Sequence, residues 1–338
     1  MGLGFGLLSA QLRPGETDWA PIYRDTIDLA IEAEELGFES VWTTEHHFVD
    51  DGYMPSLLVV SAAIAQATSS IEIGTGVILA PLHDPVRLAE DAATVGLLSG
   101  GRLTLGLGLG WSSIEFEAFG ADMRRRGRAM EEILTILPRA WSGVPFSHET
   151  DLYRIPELAV RPTPSAKIPV LVGGSAEAAV RRAARLADGV FANAPLPKFL
   201  QQLEWIRDEL DTQGRDPADF RIVYYSVMIP GDSAEQAWAY GTDHLWHMMW
   251  KYSDMERSAN RQGPPPAAEP LTDERRDELF RRGTAIGTSE EIVDQMLGVR
   301  ERMDMDVEFV ARSYFATMSY SEQRDLMQRL AEEVAPHL

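Results

Sequence analysis

The sequence predicts an α/β fold, a (β/α)8 TIM barrel with insertion loops at the C-terminal face, and three observations predict it. Apolar strand-like runs alternate with amphipathic stretches along the chain, the alternation counts out to eight β-α steps, and 338 residues can enclose one barrel of that size. Strands alternating with helices form a parallel sheet covered by helices. Eight such steps favour closure over an open doubly wound sheet, and closure brings the C-terminal end of every strand to one face.

The elements follow in order. "LGFGLLS" (3–9) reads as a buried strand, and 19–37 as a helix with Ile22, Ile27, Leu29, Ala33 and Leu36 near helical spacing and Gly37 as its stop. "FESVWTT" (38–44) is the second strand, 55–70 a helix and "IEIGTGVIL" (71–79) the third strand. Helix 84–101 has Asp84 as N-cap, Pro85 in its first turn and glycines past its end. "RLTLGLGLG" (102–110) is the fourth strand, followed by the basic helix 124–142. Strands at 168–174, 189–193, 220–229 and 307–313, with helices at 175–187, 197–213, 232–252 and 319–334, complete the count. Residues 1–338 are expected to form one barrel domain with two interruptions, a short β excursion at 143–167 and a candidate mobile lid at 253–286 containing "GPPPAAEP".

Composition removes several function classes. With 31 Lys plus Arg against 52 Asp plus Glu, the net charge of −21 opposes binding to nucleic acid or an anionic membrane. The absence of cysteine excludes disulfides, thiolate metal sites and a cysteine nucleophile. "MGLGFGLLSAQLRPG" has no basic leader and no run of 18 apolar residues follows, so a cytoplasmic protein is the expectation.

The chemistry-bearing motifs cluster at strand tips. "VWTTEHHFVDD" (41–51) ends a strand in Glu45, His46 and His47, and three readings are open: a metal site, an acid–base site, or a polar loop satisfied by backbone. Alternation puts Ser40, Trp42, Thr44 and His46 on one face and Val41, Thr43, Glu45 and His47 on the other, so the two imidazoles point apart and a shared metal is disfavoured. "GLGLGW" (106–111) has the spacing G-x-G-x-G and so fails the dinucleotide fingerprint G-x-G-x-x-G; its glycines make room for a neighbouring loop or a flat ligand. In "VGGSAEAAVRR" (172–182) Gly173 and Gly174 end a strand and Ser175 takes the N-cap position, which outlines an anion site or an ordinary barrel turn. The arginines of "DMRRRGRAMEEIL" (122–134) read better as helix ion pairs with acids than as a phosphate grip. "HLWHMMWKY" (244–252) mixes aromatic and methionine side chains, a pattern of core or of an apolar pocket wall that includes Trp246 and Trp250.

Taken as successive blocks, "LGFESVWTTEHHF", "IGTGVILAPLHDPVRLAEDAATVGLLSGGRLTLGLGLGW", "EFEAFGADMRRRGRAMEEIL", "IPVLVGGSAEAA" and "GTAIGTSEEIVDQM" resemble the bacterial luciferase-like flavin-dependent monooxygenases. The resemblance implies a barrel binding flavin at its C-terminal face, with His46 as the active-site histidine beside the reactive edge of the ring. It places a non-prolyl cis peptide at Gly76-Val77, Leu109 in the cofactor groove where luciferase has a phosphate-binding arginine, and Gly173, Gly174 and Ser175 at the phosphate. Ala178 stands where the family has a threonine. Glu45, His47, Trp111, Trp246 and Trp250 are expected around the substrate. The implied activity is oxygenation of a largely apolar small molecule by reduced FMN (FMNH2) and O2 through a C4a-hydroperoxide. FMNH2 would come from a separate NAD(P)H-dependent flavin reductase, no resident metal takes part, and a homodimer is expected. Two alternatives stand beside it: an F420-dependent oxidoreductase transferring hydride on the same fold, and a non-catalytic flavin-binding partner subunit.

Overall fold

The computed structural model describes residues 2–263, 272, 274, 284–302 and 305–338. In chain order its first half contains β1 (Leu3–Leu8), α1 (Trp19–Glu35), β2 (Ser40–Thr43), α2 (Leu57–Ala67), β3 (Glu72–Thr75), β4 (Ile78–Leu79), α3 (Pro85–Leu98), β5 (Leu103–Gly108), α4 (Ser113–Ala118) and α5 (Arg126–Trp141). The hairpin β6 (Phe146–Glu149) and β7 (Arg154–Leu158) precedes β8 (Val170–Gly173), α6 (Glu177–Leu186), β9 (Gly189–Ala192), α7 (Leu196–Gln213) and β10 (Arg221–Ser226). Then come β11 (Met228–Pro230), α8 (Ala234–Ala259), β12 (Ala285–Gly287), α9 (Ser289–Glu301), β13 (Glu308–Arg312) and α10 (Tyr320–Arg329).

Eight parallel strands close into the expected barrel, in the order β3-β2-β1-β13-β10-β9-β8-β5, with β4 continuing β3. Ile73 opposite Leu103 and Gly74 opposite Thr104 join β3 to β5 and complete the ring. The predicted third strand is interrupted at Gly76–Val77, a cis peptide, so that its first part pairs low on β5 and its second part, Ile78 opposite Leu107, pairs high. The glycine run beside it is explained by that crossing. A Cβ on Gly106 would lie 1.9 Å from the Thr75 carbonyl oxygen, and one on Gly108 would lie 2.3 Å from Val77 Cγ2. The group approaching "GLGLG" is a neighbouring strand.

Alternation along the strands divides the barrel interior into levels. On β10 and β13 the inward positions are Arg221-Val223-Tyr225 and Glu308-Val310-Arg312. At the N-terminal end the Arg221 guanidinium bonds Glu308 at 2.6 Å, Glu72 at 3.1 Å and Thr104 Oγ1 at 3.1 Å. The middle is apolar, with Leu7, Trp42, Leu171, Phe191, Val223 and Val310 in one buried cluster. Trp42 stacks on Phe191 at 4.6 Å and Phe191 on Tyr225 at 4.6 Å, forming an aromatic floor toward the C-terminal end. A second, larger core lies between strands and helices.

Both interruptions have identifiable places. The 143–167 segment is the antiparallel hairpin β6–β7, held along α5 by Glu132, which accepts from Thr150 Oγ1 at 2.6 Å and contacts His148 Nε2 at 3.1 Å. Helix α8 runs to Ala259, well beyond the predicted end at 252, and the barrel helix of its unit is instead α9, which the sequence count omitted. Its start was legible: Thr288 and Glu291 form a capping box. Of the expected lid 253–286, residues 264–271, 273 and 275–283 lie outside the described residues.

Candidate active site

The tip of β2 is held on both sides by backbone. Thr44 N–H donates to the Leu8 carbonyl at 3.1 Å and His46 N–H to that of Met54 at 3.3 Å. Side chains then alternate as predicted: Glu45 and His47 meet, with His47 Nε2 2.9 Å from Glu45 Oε1, while His46 turns the other way. Glu45 also accepts the Leu79 N–H at 2.6 Å and faces His83 Nε2 at 3.1 Å. Burial by itself would raise its pKa; the bonds from His47, His83 and Leu79 overcome this and hold it at about 2. Burial likewise depresses His83, and the Glu45 carboxylate overcomes this, leaving it above the usual histidine value. Only 2% exposed, Glu45 is a brace between the β2 and β4 tips, enclosed rather than open to a substrate.

His46 is fixed by a residue that sequence reasoning missed. Glu115, fully buried on α4, accepts from His46 Nδ1 at 3.1 Å and from His47 N–H at 2.9 Å through the same Oε1. A carboxylate accepts only, so Nδ1 carries the proton and Nε2 is the nitrogen left for other partners; this tautomer is assigned from the network. The available signal was Ser112-x-x-Glu115, a capping-box spacing, but Ser112 makes no side-chain cap and Glu115 turns inward instead. Around the His46 ring stand Tyr53 at 4.9 Å, Trp111 at 5.5 Å and Tyr252 at 5.9 Å, all edge-on.

Helix α8 roofs this mouth. Lys251, 6% exposed, pairs with Asp50, with Asp254 at 3.1 Å and with Asp51 at 3.7 Å, and Ser113 Oγ donates to the Ala259 carbonyl at 2.6 Å. The face toward the barrel carries His244, His247, Met248, Lys251, Tyr252 and Met255, which line a hollow with Leu7, Tyr53 and Arg312. At 100° per residue Trp246 and Trp250 fall on the opposite face of α8. Trp111 stands beside His46, and His47 packs on Phe119 at 4.7 Å. A hollow of about 680 Å3 lies at the other end of the barrel, between the ends of α5 and α6 and residues 164–168, away from the C-terminal strand tips.

A second region lies at the tip of β8. Gly174 has φ +144° and is exposed, and the helix that follows has Ala176, not Ser175, as its N-cap, with no side-chain cap on its first-turn N–H groups. Lys198 Nζ, from α7, donates to Ser175 Oγ at 3.3 Å. Leu109 packs against the main core and Val77 against the interior cluster. The arginines of 122–128 are largely occupied: Arg124 by Asp122, Arg125 by Asp151, Arg128 by Glu132 and Asp151.

The model of the luciferase-like monooxygenases matches residues 4–304. The chain belongs to the luciferase-like monooxygenase family. The oxygenase component of the flavin-dependent trigonelline monooxygenase of Acinetobacter baylyi is 24% identical over 337 residues, covering 93% of this chain and 89% of that protein. The F420-dependent glucose-6-phosphate dehydrogenase of Kineococcus radiotolerans is 28% identical over 225 residues, 63% of each chain. Among solved structures, the monooxygenase RslO1 from Streptomyces bottropensis superposes with a TM-score of 0.83 over 100% of this chain and 99% of its own, at 23% identity, a likeness of fold. This luciferase-like chain is thus an oxidoreductase, and no helix among its described residues is long and apolar enough to cross a membrane. The residues present fit a flavin or a deazaflavin: an aromatic floor for a flat ring, and uncapped amides with Lys198 beside them for a phosphate.

Proposed function

We propose that this luciferase-like protein is the oxygenase of a two-component system, using reduced FMN and O2 to oxygenate a flat, largely apolar small molecule. The observation that supports this most is the His46–Glu115 pair: an imidazole of fixed tautomer, roofed by α8 and ringed by Tyr53, Trp111 and Tyr252, at the catalytic end of a barrel. Bound reduced flavin would supply the activated oxygen. With Nδ1 carrying its proton toward Glu115, His46 Nε2 is the acceptor nitrogen and would take a proton from a donor at the edge of the bound ring. Gly76, Val77 and Leu109 border the ring, while Gly173, Gly174, Ser175 and Lys198 hold the phosphate. The α8 roof and its lysine anchor exclude water. Trp111 and the inward face of α8 form the substrate wall.

A separate reductase is proposed because the trigonelline relative is named as an oxygenase component. A homodimer is proposed because α2, "LLVVSAAIAQA", carries no charge and still leaves Val59 72% exposed, while Leu97 and Leu98 at the end of the neighbouring α3 are 41% and 43% exposed. The second reading, hydride transfer with F420, draws on the glucose-6-phosphate dehydrogenase relative.

The test is equilibrium binding of FMN, FMNH2 and F420 to the purified protein, followed by admission of air to the reduced complex. Binding of FMNH2 with reoxidation slower than that of free FMNH2, and loss of turnover by about 10²- to 10⁴-fold in His46→Ala, are the expected results. Selective binding of F420 would replace oxygen transfer with hydride transfer.

A further inference from the structure

Resting on the reading of this mouth as the substrate site, we infer that the substrate carries an anionic group, a carboxylate, and that Arg312 holds it at the hollow beneath α8, whose volume of about 30 Å3 has room for that group while the rest of the molecule lies outside it. The residue ends β13 on an inward position, two beyond Val310 of the interior cluster, and its half-buried guanidinium lines the hollow. Its one hydrogen bond among the described residues is from Nη2 to Tyr252 Oη at 2.9 Å, with the guanidinium carbon 5.3 Å from the centre of that ring. A guanidinium has five N–H donors in a planar fork that matches a carboxylate, so most of its capacity is unspent.

The contrast with the rest of the interior gives this its weight. Arg221, at the other end of the same barrel, is neutralised by Glu72 and Glu308. Lys251, in the same hollow, is neutralised by Asp50, Asp51 and Asp254. Among the described residues no carboxylate makes an ion pair with Arg312, and the groups closest to it in charge are Tyr53, Tyr225 and Tyr252. Burial holds His244 and His247, on the roof, below the ordinary histidine value, so neither competes as a cation near neutral pH. In a chain of net charge −21, an unneutralised guanidinium at the mouth is a selective feature for an anion. Tyr53 and Tyr252 line the hollow beside the guanidinium, so a ring bearing that anion has aromatic surface to lie against while the Phe191–Tyr225 floor is left to the flavin.

Benzoate and its neutral isostere benzamide are the probes, titrated into the full-length protein with and without FMN and read by tryptophan fluorescence. We expect benzoate to bind at least about tenfold more tightly than benzamide. Arg312→Gln should erase that preference while leaving FMN affinity within about twofold. Equal affinity for the two probes, no benzoate binding up to about 10 mM, or a preference that survives Arg312→Gln would overturn the inference. Loss of FMN affinity in Arg312→Gln with the benzoate preference intact would also overturn it, by giving the guanidinium to the cofactor. Should that variant fail to fold, Tyr252→Phe frees the last donor and should keep or increase the preference; its disappearance counts against the assignment. Selective F420 binding would remove the FMN reading and leave this one standing, whereas equal probe affinities would do the reverse.

Discussion

His46 and Glu45 are neighbours in sequence with opposite tasks, and each task has its own test. The Glu45 carboxyl, at about 2 in the folded protein, lies below its ordinary value near 4.5. A lowered folded value means that its contribution is fully present above the unfolded pKa and is lost as pH falls from about 4.5 toward 2. The shift corresponds to stabilisation on the order of 3 kcal/mol. Urea unfolding of the parent and Glu45→Gln should therefore differ by about that amount at pH 7, with the gap narrowing below pH 4.5; a gap independent of pH would contradict the account. Glu115 acts on His46 instead. Glu115→Gln keeps the volume and an oxygen for the His47 N–H and for Nδ1, but replaces the carboxylate by a weaker, neutral acceptor. The expected outcome is a fall in kcat of at least about tenfold and an altered pH profile, with flavin affinity unchanged. Unchanged kcat would reduce Glu115 to a structural residue.

At the scale of elements, the close passage of β3 and β4 over β5 depends on glycine. A Cβ at Gly106 would meet a backbone oxygen at 1.9 Å, which no rotamer change relieves, whereas Gly100 has φ +64° with nothing within 4 Å of its Cβ position. Gly106→Ala is expected to give insoluble or strongly destabilised protein. Gly100→Ala should cost only the left-handed backbone penalty, about 1 kcal/mol, visible as a small drop in Tm. Similar losses in the two variants would mean that the strand crossing is looser than described. The glycine pattern was plain in the sequence, but which partner required it was not, since the Thr75 carbonyl lies 31 positions away. Helix α8 shows the opposite limit. Its aromatic and methionine content suggested a pocket wall, yet the rotation that selects His244, Met248 and Tyr252 over Trp246 and Trp250 is set by its anchors at Asp50 and Ser113.

For the whole molecule, the apolar α2 face is the feature that an isolated barrel leaves unexplained. Val59→Arg should convert a dimer to a monomer in sedimentation equilibrium without changing the far-ultraviolet circular dichroism. A parent protein that sediments as a monomer at micromolar concentration would remove the dimer from the proposal.

The sequence by itself determined the alternation of eight strands with helices, the parallel sheet, and the opposed faces of Glu45 and His46, because periodicity is a local property of backbone geometry. It also put Glu45, His46 and His47 together at the tip of β2. Only the tertiary structure decided that Glu115, 69 residues away, holds His46, that α8 rather than a barrel helix follows β11, and that Arg312 faces the mouth without an acid. Those choices depend on ring closure and on which loops meet above it, and such long-range pairings leave no period in the chain that specifies them.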